Sequence, residues 1–282
     1  MNEKISFLQL PFSVTGVCNQ FGFTRQNYYQ RLKYERKRCK EEEMILNEIL
    51  KIRAILPYVG CRKLQYMLKD RSQIEIGRDS LFSLLRKHKM LVERHKSFIK
   101  TTFSMHHYKK YQNLIKDMVI TKSNQVWVAD ITYIRTWEGF WYLFLLTDKY
   151  SRKIVGWSLR NDLRHEGAIE ALKKALKSVG AGCKIILHSD RGIQYCCPGY
   201  TGFAELQGFQ LSMTQEDHVY ENALAERMNG ILKQEFGLGE VFKNGKDVEK
   251  QIEESVMLYN SVRPHLALGF MTPEQVHNGK AA

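Results

Sequence analysis

Asp130 stands inside QVWVADITYI (125–134), an apolar run of strand type where a carboxylate is disfavoured by propensity and costly to bury. Asp190 follows a second such run in LHSDRGIQY (187–195), and Glu226 lies early in a long helical stretch, ENALAERMNGILKQE (221–235). Taken alone, an acid and a glycine at a strand end make an ordinary turn. Placing the first and fourth strands side by side in one sheet brings Asp130 near Asp190, with the helix laid across their edge. Clustered carboxylates repel unless a hard cation neutralises them, and Mg²⁺ favours one or two carboxylates together with waters and phosphate oxygens. The pattern reads as a divalent-metal site that handles phosphodiesters.

The helix supports the choice of Glu226. Leu224, Met228, Ile231, Leu232 and Phe236 form its expected buried stripe, while Asn222, Glu226, Asn229, Gly230 and Lys233 line a second face at three- and four-residue steps. Lys233, two turns beyond Glu226, can reach a phosphate when the glutamate holds a metal. The plainer alternative is an i,i+7 surface pair.

These side chains need a scaffold. QVWVADITYI, FWYLFLLTD (140–148) and KIVGWSL (153–159) are three strand-like runs, followed by a helix carrying Ile169, Leu172, Leu176 and Val179, the strand CKIIL, a helical stretch near 202–206, the short strand FQLSM and the long helix. Consecutive strands followed by alternating helix and strand indicate an α/β domain with a mixed sheet. Upstream, residues 12–38 are helix-turn-helix shaped, with a second helix starting near Thr24, and a further helix is expected over 42–55. GCRKLQYMLKD (60–70) and RDSLFSLLRKHKML (78–91) read as two amphipathic helices. On the latter, Arg78, Arg86 and Lys87 avoid the apolar stripe, as groove-reading residues or as a solvated basic face. The expected organisation is a basic segment over 1–40, a helix-turn-helix domain over 41–100, a linker over 101–123, a catalytic core over 124–240 and a C-terminal helical extension over 241–282.

The charge is divided unevenly. The net +13 falls wholly in residues 1–110, which carry 23 Lys and Arg against 10 Asp and Glu; residues 111–282 carry 20 of each. A basic module that meets a polyanion, joined to a neutral module with another task, accounts for this, and DNA or RNA is the leading partner. The six cysteines show no metal-ligand spacing and read as reduced thiols. No apolar run is long enough to span a bilayer and no cleavable leader is evident, so the expected location is the cytoplasm.

VWVADITYI, LHSDRGIQY and ENALAERMNGILKQE, with 59 residues between the two aspartates and 35 between Asp190 and Glu226, closely resemble the three acidic motifs of integrase-core transposases, specifically the second-frame (OrfB) protein of the bacterial insertion sequence three family. PYVGCRKLQYML with RDSLFSLLRKHKMLV resembles that family's helix-turn-helix, and YNSVRPHLALGFMTPEQV (259–276) its C-terminal motif. The resemblance covers roughly 12–277. It implies a ribonuclease H-like core, a mixed five-stranded sheet with helices, preceded by an all-helical DNA-binding region. It also implies a nucleoid-associated bacterial transposase that cleaves insertion-element ends and transfers the 3′-OH by in-line displacement at phosphorus. Asp130, Asp190 and Glu226 would be both catalytic residues and ligands to Mg²⁺ or Mn²⁺, with two ions clamping the reacting phosphate. Lys233, Asn222 and Asn229 would then be DNA contacts. His188 and Gln194 contact DNA or stabilise the turn, and Arg263 and His265 contact phosphate or pack the last helix. Implied partners are element terminal repeats and target DNA, further copies of the chain on DNA, and the upstream-frame protein.

The sequence departs from the family pattern at Glu221, where Asp is common, and at Arg227, where Ser is common; neither is a metal-binding carboxylate. A retroviral-type integrase is the nearest alternative, but the His-His-Cys-Cys zinc spacing of that class is missing. A DNA-binding regulator with an inactive nuclease-like domain would be favoured by loss of an acidic residue, and all three are present.

Overall fold

A computed structural model describes residues 13–92, 106–179, 184–215 and 222–279. Residues 1–12, the linker residues 93–105, Cys183 and Glu221 lie outside the described residues.

The N-terminal half is helical. Ser13 and Thr24 cap α1 (Val14–Gln20) and α2 (Arg25–Ile55), their hydroxyls accepting from the amides of Gly16 and Asn27, each at 3.1 Å. α2 is one helix of 31 residues and runs across the boundary expected at 40/41. The charged run over 37–43 contains no Gly or Pro, and the i,i+4 pairs Lys37–Glu41 and Arg38–Glu42 support the helix through it. α3 (Cys61–Ser72) and α4 (Arg78–Lys87) follow, joined by a link that leaves α3 through Gln73 in the left-handed region, φ 55°. Leu64, Met67 and Leu68 of α3 and Leu81, Leu84 and Leu85 of α4 are buried as their periodicity requires.

The C-terminal half is built on a sheet. β1 (Val126–Thr136), β2 (Gly139–Asp148) and β3 (Ile154–Arg160) form an antiparallel meander; β4 (Ile186–Ser189) pairs parallel with β1, and β5 (Gln210–Met213) parallel with β4, giving the order β3-β2-β1-β4-β5. A sixth strand beyond the five expected, β6 (Val241–Phe242), runs parallel beside Arg135 and Thr136. Since β2 takes one edge of β1, β4 and β6 share the other. Between them that edge has no strand partner over 129–134.

Alternation along β1 sorts its side chains. Trp127, Ala129 and Ile131 face a layer formed by α5 (His165–Leu176), the short α6 (Ile193–Cys196) and α7 (Pro198–Leu206). α5 lies close because Gly156 of β3 has no Cβ to meet the Ala171 carbonyl. Val126, Val128, Asp130 and Ile134 face α8 (Ala223–Glu235) and α9 (Gly245–Ser261), followed by a 3-10 turn at Leu266–Leu268 and by α10 (Pro273–His277).

The two halves share one core. Ile49, Leu64 and Leu85 belong to the same buried cluster as Leu143, Met228, Leu232 and Tyr259. Polar contacts tie the same seam: Glu235 accepts from Lys63 at 2.6 Å and from Arg263 at 2.8 Å, and Tyr66 stacks on Phe270 at 4.6 Å. The described part of the expected linker is also docked. Ile115 is buried with Val126, Val128 and Ala225, and Ser212 Oγ accepts from the Leu114 amide at 2.9 Å.

Candidate active site

Asp130 and Asp190 meet because of register. The β1/β4 ladder pairs Val126 with Ile186 and Val128 with His188, so two residues further on Asp190 stands beside Asp130, just past the end of β4 and partway along β1. The Asp190 carboxylate is oriented by its own turn, Oδ1 accepting from the Gly192 amide at 3.0 Å. Burial, then the neighbouring Asp190 charge and more weakly Glu226, push Asp130 up to about 7, against the opposing pull of the Asn229 amide and the Ile131 backbone N–H. A buried carboxylate with a second carboxylate beside it is a site that a cation would complete.

α8 covers the unpaired stretch of β1. Asn229 Nδ2 donates to Asp130 Oδ2 at 2.8 Å and Asn222 Nδ2 donates to the Ala129 carbonyl at 3.3 Å. Both asparagines are buried, and each side-chain amide donates to a β1 atom. The signal was present: Asn222, Ala225, Asn229 and Leu232 recur at steps of three and four on one stripe. Glu226 sits at the rim of that stripe in the first turn of α8 and is exposed. Among the described residues, no three Asp, Glu, His or Cys side chains already stand at metal-ligand spacing. Strand register sets the two aspartates side by side, and Glu226 lies within electrostatic reach of Asp130. Two carboxylates fit Mg²⁺, which takes the rest of its shell from water and substrate oxygens.

Lys233 is half-buried two turns further along. Its Nζ lies 4.4 Å from the centroid of the Tyr133 ring, and burial lowers its pKa while Asp130 raises it. Asp148 ends β2, and its carboxylate oxygens are engaged by the amides of Asn124 and Ser151, both at 2.7 Å. It belongs to the turn after β2.

The other residues singled out from sequence divide in two. Arg78, Arg86 and Lys87 share the exposed face of α4; Arg78 contacts Asp79 at 2.9 Å, Arg86 lies over Phe82 at 4.9 Å and Lys87 bonds Glu42 at 2.6 Å. The remainder turn inward. His188 is buried with Nδ1 2.9 Å from Ser212 Oγ, Gln194 donates to the Leu163 carbonyl at 3.1 Å, and Arg263 is buried against Glu235. His265 Nε2 lies 2.7 Å from the Tyr259 hydroxyl, and burial with nearby Arg263 pushes its pKa down to about 3. For His188, Gln194, Arg263 and His265 the plainer alternative, packing and turn support, matches the contacts they make.

The family model described as Integrase core domain matches residues 120–218, and a second of the same description matches 207–273. A 31 kDa protein of insertion element IS600 from Shigella sonnei is 34% identical over 91% of this chain and 96% of its own length. The transposase InsF for insertion sequence IS3A of Escherichia coli is 31% identical over 70% of this chain and 69% of its own. The chain belongs to the IS3-family transposases. It is a DDE-type transposase with an integrase-like catalytic core. The fold agrees: in a simian T-cell lymphotropic virus intasome, the matched chain superposes with a TM-score of 0.50 at 15% identity, over 82% of this chain and 74% of that one, and the core is ribonuclease H-like. No helix among the described residues is long and apolar enough to cross a membrane.

Proposed function

We propose that this transposase nicks the ends of its own insertion element and joins the freed 3′-OH to target DNA, with Asp130, Asp190 and Glu226 holding two divalent ions. The observation that carries the reading is the β1/β4 ladder, whose register carried two residues past its last pair sets Asp190 beside Asp130, with Asp130 raised to about 7 by burial and by its neighbour's charge. Mg²⁺ or Mn²⁺, when bound, would supply charge neutralisation at the scissile phosphate and a lowered pKa for the attacking hydroxyl.

The chain's own residues do the rest. Asn229 fixes the direction of one Asp130 oxygen, and the Gly192 turn does the same for Asp190. Glu226, carried on the exposed rim of α8, closes on the pair when DNA and cation are present. Lys233 meets a backbone phosphate beside the reacting one. The exposed basic face of α4 holds duplex phosphates, which supply affinity independent of sequence.

Action on both element ends calls for more than one copy of the chain, and the upstream-frame protein is a further partner suggested by the family. The test is a nicking and joining assay on duplexes carrying the element's terminal repeats with Mg²⁺ or Mn²⁺. Cleavage at the element boundary that disappears in Asp130→Asn supports the reading; cleavage undiminished in that variant overturns it.

A further inference from the structure

We infer that the tip of the β1–β2 hairpin is a stacking platform for unpaired bases of the DNA strand engaged at the carboxylates, an inference that rests on the proposed strand-cleaving function. Three aromatic side chains lie at or beside it. Tyr133 and Phe140 meet edge to face at 5.4 Å, Phe140 is 47% exposed, and Trp137 at the turn is 75% exposed. Rings of this size normally bury their surface; a cluster left to solvent marks a contact surface.

The surroundings select the partner. Lys233 Nζ lies 4.4 Å from the Tyr133 centroid, and the Arg135 guanidinium 5.8 Å from that of Phe140. Glu138 is the acidic residue in the turn itself. Rings interleaved with cations suit nucleic acid, the rings taking base faces and the cations backbone phosphates. A paired duplex offers base edges to its grooves and keeps its faces stacked, so rings of this kind fit a strand whose bases are unpaired. Lys233 links the platform to the helix that carries Glu226, since it belongs to α8 and its ammonium lies over the Tyr133 ring.

The tip is also held in shape before any ligand arrives. Trp137 and Glu138 form a two-residue turn closed by the pair Thr136 and Gly139, with Gly139 at φ 123°. The Thr136 hydroxyl donates to the Gly139 carbonyl at 2.9 Å and accepts from the Glu138 amide, while the Trp137 amide donates to Phe242 of β6 at 2.9 Å. A fixed hairpin presents its rings with little ordering cost on binding.

The experiment uses the full chain and two DNA probes of one duplex sequence, one blunt and one ending in a short unpaired strand that carries 2-aminopurine. The expected result is that wild type prefers the unpaired end by ~10-fold per stacked base and quenches the 2-aminopurine. Trp137→Ala with Phe140→Ala should abolish both the preference and the quenching, leaving blunt-duplex affinity within about twofold, since that affinity comes mainly from Lys and Arg contacts to phosphate. Retention of preference and quenching in the double variant overturns the inference. So does a change of oligomeric state in that variant without a change in preference, which would make the rings a surface for another copy. Failure of the function itself would read differently, as absence of element-end cleavage in wild type with the stacking signal intact.

Discussion

The Asn229 side-chain amide donates to Asp130 Oδ2 at 2.8 Å, joining α8 to β1 through the carboxylate itself. A donor facing a carboxylate favours its charged form. Asn229→Leu should therefore raise Asp130 further above about 7 and shift the pH dependence of Mn²⁺ binding upward, with a loss of ~10-fold in affinity at neutral pH. Calorimetric titration between pH 6 and 9 measures it. An unchanged pH profile would mean that the bond only packs the helix.

The carboxylate pair has a signature in stability as well. Asp130 has a folded pKa above its unfolded value of 3.8, so between about 4 and 7 the folded chain holds the extra proton. Stability of the cation-free protein should fall as pH rises through that window and stay low above it. At ~1.4 kcal/mol per unit, the penalty is a few kcal/mol at most. Asp130→Asn should raise the melting temperature of cation-free protein at pH 8 and lose the further stabilisation that Mg²⁺ gives wild type. A variant that melts like wild type and still responds to Mg²⁺ would remove Asp130 from the metal site.

Cleavage and joining should be abolished by Asp130→Asn, Asp190→Asn or Glu226→Gln, while DNA binding persists. Glu226 is the informative member, because it stands exposed at the rim of α8 rather than within the pair. If Glu226→Gln retained full activity, the third ligand would have to be sought elsewhere.

What the sequence revealed of this site followed from local signals. A buried acid in a strand, an acid ending another and an acid on an amphipathic helix each leave a mark on residue pattern, and their meeting needs only the order of parallel strands. Side-chain contacts at a distance leave weaker marks. Three- and four-residue steps set Asn229 on one face with Glu226 and Lys233, yet its spacing from Ala225 and Leu232 sets it equally on the buried stripe. The continuity of α2 was obscured by a run of charges that supports a helix through i,i+4 pairs. The apolar anchor Ile115 sits in the mixed stretch NLIKDMVI, where no clean periodicity marks it. The docking of the two halves depends on residues far apart in sequence, Lys63, Glu235 and Arg263, and no local pattern encodes such a triad.

Because Ile49, Leu64 and Leu85 share a core with the catalytic half, the role of the basic region is best tested in the intact chain. Arg86→Ala and Lys87→Ala, on the exposed face of α4, should each lower the salt slope of duplex binding by about one unit if each meets a phosphate. Binding isotherms at several salt concentrations decide it. Slopes equal to wild type would leave these side chains to Phe82 and Glu42, their partners within the chain.

The Lys63–Glu235–Arg263 triad holds α3 against the far end of the helix that carries Glu226. Burial alone would raise the Glu235 pKa, but hydrogen bonds and charge from Arg263 and Lys63 outweigh it and hold the group below its ordinary value. Lys63, buried beside a second cation, is pushed down to about 8, so the network is two cations sharing one carboxylate. A depressed carboxylate contributes stability that is present above its unfolded pKa of about 4.3 and is lost as pH falls through the lower folded value. Glu235→Gln leaves both cations without their counter-charge and should cost about 3 kcal/mol at pH 7, with the deficit shrinking below pH 4 where wild type loses the same interaction. Denaturant unfolding at pH 7 and pH 3.5 makes the comparison. Equal deficits at both pH values would show that Glu235 acts through packing rather than charge, and that the two halves are held together by their shared apolar core alone.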